Sequence, residues 1–211
     1  MKIKTSLQIQ AAMLAASIAF SAYYVSRLPD RVPTHWNIHN QVDQYGSKWT
    51  AILMGPLMIL FGMLLTVALP KLSPKKYEIE KFEATYSYSM VLVSGLFLFI
   101  SVLILKATAG GIKDIGGIMM TGMFLFFAFL GNVLGKVRRN FYMGIRTPWT
   151  LASEATWDAT HRLAGKLYFY GGIAGAILAA VGMPVVGSIV LLLVMSLWPV
   201  VQSYFFYKKL G

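Results

Sequence analysis

Three residues suited to a catalytic site, Arg146, Glu154 and His161, lie close together in the chain, and Asp158 adds a further possible acid or base beside them. Glutamate and histidine are common general acids and bases, and arginine can stabilise a developing negative charge. Glu154 and His161 share one face of a predicted helix, however, and no nucleophile accompanies them. The sequence therefore predicts no catalytic residue. A membrane enzyme that acts on a lipid or a peptide through these three residues is the alternative.

A second polar stretch places His35 and His39 near Asp43. Two histidines and a carboxylate are ligands that zinc accepts, but this spacing lies in no helix and the remaining ligands are unspecified. The chain has no cysteine, which excludes thiolate metal sites and disulfides. We therefore predict no metal and no cofactor, and expect His35 and Asp43 to form hydrogen bonds to backbone amides within the loop.

The composition indicates a membrane protein. Of 211 residues, 57% are hydrophobic and 13% are charged, whereas soluble domains carry about 25% charged residues. The net charge of +11 is spread over short clusters between apolar runs, a pattern typical of loops that face anionic lipid. No nucleic-acid-binding motif accompanies the charge, so we predict a bilayer as the partner and no direct binding of nucleic acid.

Six apolar runs approach the roughly 20 residues that a membrane-spanning helix needs. They cover residues 7–26, 51–69, 86–106, 115–135, 166–183 and 185–205. No Asp, Glu, Arg or His lies in the middle of a run, and such residues usually mark ion-coupled transport. A small-molecule exporter stays a third candidate, with few polar side chains to line a path.

The distribution of lysine and arginine predicts the orientation. With the N-terminus inside, the inner segments, which include Lys75 and Lys76, hold 14 of the 19 cationic residues and the outer loops hold five. This excess predicts that both termini are cytoplasmic. The predicted fold class is an all-α integral membrane protein of six transmembrane helices, with an N-terminal domain at 1–106 and a C-terminal domain at 107–211.

The predicted extracellular loop, residues 27–50, is expected to be ordered. Alternation at Val32, Thr34 and Trp36 indicates a short extended segment, and prolines and turn-forming residues surround it. The candidate residues of this loop are Pro33, His35, Asp43 and Lys48.

The predicted cytoplasmic loop, residues 136–166, is expected to contain a short amphipathic helix that starts at Ser153 as N-cap and runs into the fifth span. This segment is expected to act either as a structural latch or as a recognition surface for a partner or ligand. Its candidate residues are Asn140, Gly144, Arg146, Thr147, Pro148, Trp149, Glu154, Trp157, His161 and Arg162.

Small residues at Gly171, Gly175 and Ala179 follow one face of the fifth span and allow another helix to approach closely. That helix belongs either to the same chain or to a second copy in a homodimer.

The run Gly144-Ile145-Arg146-Thr147-Pro148-Trp149-Thr150-Leu151, followed by Glu154, Trp157, His161-Arg162 and Gly165-Lys166, closely resembles the signature of the SdpI family of bacterial membrane proteins. The outer residues Leu28-Pro29, Pro33, His35, Asp43 and Ser47-Lys48 are similar to the uncharacterised domain that often precedes it. Asn40 stands where that loop usually has glycine, and asparagine also tolerates a positive φ.

The resemblance implies a non-enzymatic immunity protein of the cytoplasmic membrane that protects against a secreted, membrane-active peptide toxin. It also implies signalling, in which the membrane protein binds a cytosolic transcriptional repressor. The outer loop is then expected to sense or block the toxin, and residues 140–166 to form the cytoplasmic output or a latch.

Overall fold

The computed structural model describes residues 1–74 and 79–210. Six of its helices are long and apolar enough to cross a membrane, as the sequence predicts. They are α1 (Ile3–Val25), α2 (Lys48–Leu72), α3 (Glu83–Thr108), α4 (Ile115–Leu134), α6 (Glu154–Ala180) and α7 (Val185–Leu210), and the short helix α5 (Pro148–Ala152) precedes α6. The chain is a multi-pass membrane protein. Lys75 and Lys76, two of the cations behind the predicted orientation, lie outside the described residues.

The prediction of an all-α fold is wrong in the first long loop, which forms an antiparallel β-hairpin of β1 (Arg31–Trp36) and β2 (Val42–Ser47). The extended segment predicted around Val32 is confirmed as β1, and β2 is its unpredicted partner. Asn40 in the connecting turn adopts a φ of 60°, the left-handed conformation in which asparagine replaces glycine at low cost.

The predicted amphipathic helix that runs into the fifth span is confirmed. The predicted span begins at residue 166, but α6 begins at Glu154 and continues without a break to Ala180, because no proline interrupts residues 154–180. The Ser153 side chain accepts a hydrogen bond from the amide of Thr156, which confirms Ser153 as the N-cap. The predicted amphipathic helix is thus the first part of α6.

The helices pack in two groups of three. Helices α1, α2 and α3 contact one another, α6 contacts both α4 and α7, and α3 meets α4. An ideal Cβ on Gly172 would come within 2.7 Å of the Ala128 amide nitrogen and the Phe124 carbonyl oxygen. Glycine at this position therefore lets the backbones of α4 and α6 touch.

The loops gather at two opposite ends of the bundle. The hairpin lies beside the start of α4 and the start of α7, and we call this the hairpin end. At the other end, the Tyr142 hydroxyl donates a hydrogen bond to the Leu72 carbonyl oxygen at 2.8 Å. We call that end the latch end and its segment, residues 136–153, the latch loop.

The small-residue face of α6 is used within the chain. Ideal Cβ atoms on Gly175 and Gly171 would meet Phe124 of α4 and Met195 of α7 respectively, and Ala179 is buried. The homodimer remains a prediction that needs another surface or a rearrangement of this one.

Candidate functional site

Asn140 organises the latch loop through four hydrogen bonds. Its side-chain oxygen accepts from the amides of Tyr142 and Met143, both at 2.8 Å. Its side-chain nitrogen donates to the carbonyl oxygens of Arg138 at 2.8 Å and Met143 at 3.0 Å. Asn140 is fully buried. Its side-chain amide cannot bond to water there, and these four hydrogen bonds satisfy its donors and its acceptor instead.

Trp157 and His161 connect the latch loop to α6. The Trp157 indole nitrogen donates to the Val137 carbonyl oxygen at 2.7 Å, and its ring stacks on His161 with centroids 4.1 Å apart. His161 Nδ1 lies 2.8 Å from the Trp157 carbonyl oxygen, and Nε2 accepts from the Ile145 amide at 2.9 Å. This pattern requires a neutral imidazole, protonated on Nδ1 only.

Gly144 makes the approach of Ile145 to His161 possible. Its φ is 104°, which is strained for any residue with a Cβ, and an ideal Cβ would collide with His161 Nε2. Both the backbone conformation and the contact therefore require glycine at this position.

Thr147 and Thr150 form a reciprocal capping box at the start of α5, and Pro148 occupies the first turn, where proline costs no hydrogen bond. The Trp149 indole nitrogen donates to the Ser203 hydroxyl, which ties α5 to α7. Ser203 was not a predicted site residue, because a lone serine in an apolar run carries no distinguishing signal.

Three charged candidates of this segment, Arg146, Glu154 and Arg162, are exposed. Arg146 donates to the carbonyl oxygen of Phe141 in its own loop. The buried contacts that hold the latch loop include those of Asn140, Trp157 and His161, whereas these three charged side chains face the surroundings.

This arrangement gives the catalytic alternative no support. His161 is fully buried and both ring nitrogens are hydrogen-bonded to backbone groups. A general acid or base must reach the proton that it transfers, and His161 presents no free ring nitrogen to a substrate.

At the hairpin end, His35 and Asp43 face each other across the strands, with Nδ1 and the carboxylate oxygen 2.5 Å apart and both side chains exposed. The sequence predicted backbone partners for them, and the structure pairs them with each other. Among the described residues, no three His, Cys, Asp or Glu side chains gather as metal ligands.

The other two candidates of this loop are Lys48, at the base of the hairpin, and Pro33, within it. The Lys48 ammonium lies 2.9 Å from the Asp30 carboxylate, and this hydrogen bond and charge hold the pKa of Asp30 below its usual range. Pro33 lies in β1, where an edge strand tolerates a missing amide hydrogen.

The tip of the hairpin is fastened to α4 through Asn40. Its side-chain oxygen accepts from the Gly116 amide at 2.7 Å, and its side-chain nitrogen donates to the Asp114 carboxylate at 2.8 Å. Asp114 also caps α4 by accepting from the Gly117 amide at 2.9 Å. We call this set, Asn40, Asp114 and Gly116, the clasp; the sequence alone did not show that the turn and this helix start meet.

A cavity of about 530 Å³ lies beneath the hairpin. Its floor is aliphatic and comes from α3, α4 and α7, and residues 34–38 and Asn40 form its hairpin side. The floor residues are Ile104, Ile115, Gly116, Met119, Met120, Val185 and Ile189. The volume is within the range of small-molecule sites, roughly 300–1,000 Å³.

A polar network between α1, α2 and α3 was also not predicted. The fully buried Gln10 donates to the hydroxyls of Ser6 and Thr66, and its oxygen accepts from Ser94 at 3.1 Å. Buried side-chain amides of this kind join helices inside a bilayer. Ser87, Ser94 and Ser101 recur every seven residues on α3, a spacing that could have revealed this interface.

Comparison with known proteins places these features in two matched segments. Residues 136–203 match the SdpI/YfhL protein family, and residues 12–60 match a domain of unknown function (DUF1648). The chain is 28% identical over 186 residues to "Immunity protein SdpI" of Bacillus subtilis (strain 168), which covers 87% of each chain. No solved structure matches.

Proposed function

We propose that this chain is a member of the SdpI/YfhL protein family and a membrane immunity protein that protects a bacterium from a secreted, membrane-active peptide. The observation that carries the proposal is the similarity to a protein named as an immunity protein over 87% of both chains. This span includes both ends of the bundle, so the hairpin and the latch loop are both within the compared region.

The geometry supports a protein that binds a ligand more than one that catalyses a reaction. The hairpin end offers a cavity with an aliphatic floor, and the latch end offers a loop held by buried neutral hydrogen bonds. With the hairpin end outside, as the distribution of cations predicts, the cavity faces the side from which a secreted peptide arrives.

The test is to delete the gene from its own bacterium and expose the mutant to culture fluid of the parent strain. We expect the mutant to be killed and a plasmid copy of the gene to restore survival. A mutant that survives as well as the parent would contradict immunity. An unrelated multi-pass protein expressed from the same plasmid controls for crowding of the membrane.

A second role, binding of a cytosolic transcriptional repressor, is proposed for the latch end. Its support is an exposed cationic surface that suits an acidic partner. The exposed cations are Lys136, Arg138, Arg146, Arg162 and Lys166.

The repressor proposal predicts that culture fluid moves a cytosolic protein to the membrane in cells with the wild-type chain. The double charge reversal Arg146→Glu/Arg162→Glu should prevent that movement and leave the fold intact, because both side chains are exposed. Recruitment that is equal in wild type and double variant, or absent from both, would refute it.

A further inference from the structure

The cavity beneath the hairpin is lined by consecutive residues of β1 and the turn, from Thr34 to Asn37. A strand that showed only one face would contribute every second residue, because successive side chains point to opposite faces. The end of β1, residues 34–36, therefore runs along the cavity with adjacent residues exposed to it. The pairing with β2 shifts register between Pro33 and Trp36, and such irregularities change the direction in which the side chains of a strand point.

The outer edge of β1, opposite β2, has no strand partner among the described residues, since the sheet consists of β1 and β2 only. An unpaired edge presents backbone donors and acceptors, which make it a template for another extended chain. The floor opposite is aliphatic, with Ile115, Met119 and Ile189 among its residues. The cavity thus offers backbone hydrogen bonds on one side and apolar contacts on the other.

The charges around the cavity restrict its occupant further. No Lys, Arg, Asp or Glu lines the cavity, so the enclosed part of an occupant must be uncharged. Exposed Lys106 and Lys113 flank the lining residues Ile104 and Ile115 in sequence. The described cations of the hairpin end outnumber its acids, with Arg27, Arg31, Lys48, Lys106 and Lys113 against Asp30, Asp43 and Asp114. The surrounding charge therefore favours a carboxylate next to the apolar part.

We propose that the cavity is a binding site for an extended, apolar peptide segment that lies beside a carboxylate, either an acidic side chain or the peptide's C-terminus. The segment adds as a third strand to the edge of β1 and places alternate apolar side chains on the floor. A lipid acyl chain would fill the floor but would leave the strand edge without hydrogen-bond partners. The inference rests on the proposed function, because the secreted peptide is the ligand.

The clasp sets the width of this site. Asn40 holds the hairpin against the first turn of α4 through Gly116 and Asp114, while Met119 of the floor is carried by the same helix. Strand edge and floor are therefore fixed to each other, and a bound segment contacts both at once.

The experiment places the photo-crosslinking residue p-benzoylphenylalanine at Met119 in the full chain, in cells exposed to parental culture fluid. The matched control carries it at Phe129, an exposed position farther along α4. We expect the Met119 adduct to contain a secreted peptide joined through an apolar stretch beside a carboxylate, and the Phe129 adduct to contain lipid. Lipid alone at Met119, or no adduct there, would overturn the proposal.

Variants give a second measurement and separate the two proposals. Met119→Trp/Ile189→Trp fills the floor and should weaken binding of the peptide about tenfold or more, with a matching loss of protection. Tryptophan at the exposed Leu197 of α7 is the matched control. If the Met119→Trp/Ile189→Trp variant is correctly inserted and protects fully, the cavity is not the binding site, and the immunity function is unaffected. If the wild-type chain does not protect, the proposed function itself is refuted.

Discussion

Replacement of Gly144 by alanine tests whether the latch loop depends on its contact with His161. Alanine at a φ of 104° costs about 1–2 kcal/mol of backbone strain. The new methyl group also collides with His161 Nε2 and displaces the acceptor of the Ile145 amide. Loss of that bond leaves unsatisfied polar groups and costs about 1–3 kcal/mol. We expect Gly144→Ala to lower the free energy of unfolding by about 2–5 kcal/mol.

Gly182 provides a matched control. Its φ is 100°, nearly that of Gly144, and no atom lies within 4 Å of an ideal Cβ. Gly182→Ala therefore pays the backbone strain alone, about 1–2 kcal/mol. The difference between the two variants isolates the contact with His161 from the strain of a positive φ.

The assay is reversible unfolding of the purified protein by sodium dodecyl sulfate in mixed micelles, followed by tryptophan fluorescence. Trp157 is buried and stacked on His161, so it reports on this region. Equal losses of stability in Gly144→Ala and Gly182→Ala would refute the reasoning, since the contact with His161 would then contribute nothing.

Three further predictions concern single side chains. Arg146→Ala removes an exposed side chain bonded to the Phe141 carbonyl and should change the free energy of unfolding by no more than about 0.5 kcal/mol. A loss of protection with normal stability in the unfolding assay would mark Arg146 as a recognition residue, whereas a large loss of stability would mark it as structural. Asn40→Gly keeps the positive φ but removes the clasp and should cost about 1–2 kcal/mol; Asn40→Ala adds backbone strain, and a less destabilising Asn40→Ala would contradict the clasp geometry. Asp30→Asn removes an exposed ion pair with Lys48, in which the pKa of the Asp30 carboxyl is lowered in the folded state. Any stabilisation of the fold by this pair is therefore present above the pKa of the unfolded chain, about 3.9. It disappears as the pH falls through the pKa of the folded protein. The melting temperatures of wild type and Asp30→Asn should thus converge on acidification, and a gap that widens at low pH would show that the sign is wrong.

The spans could be predicted from the sequence because each apolar run is close to the thickness of a bilayer. The hairpin was half predicted: Val32, Thr34 and Trp36 alternate as strand residues do, but β2 contains Asp43 and Gly46, which have low strand propensity. β2 forms because β1 and the left-handed turn at Asn40 bring it into register.

The latch loop illustrates a different limit. The sequence identified Asn140, Trp157 and His161 as notable but could not separate them from the exposed Arg146, because burial depends on how the loop folds back on α6. Gln10 was overlooked for a related reason. A single glutamine in an apolar run looks tolerated, and only the arrival of Thr66 and Ser94 from two other helices gives its amide partners.

Transfer of protection to a sensitive bacterium tests the central claim most directly. A strain that the host's culture fluid kills would express this chain alone, and its survival would be compared with that of an empty-vector strain after the chain has been verified in the membrane. Immunity predicts that the strain with the chain survives well above the empty-vector strain. Equal killing of the two strains would contradict the account.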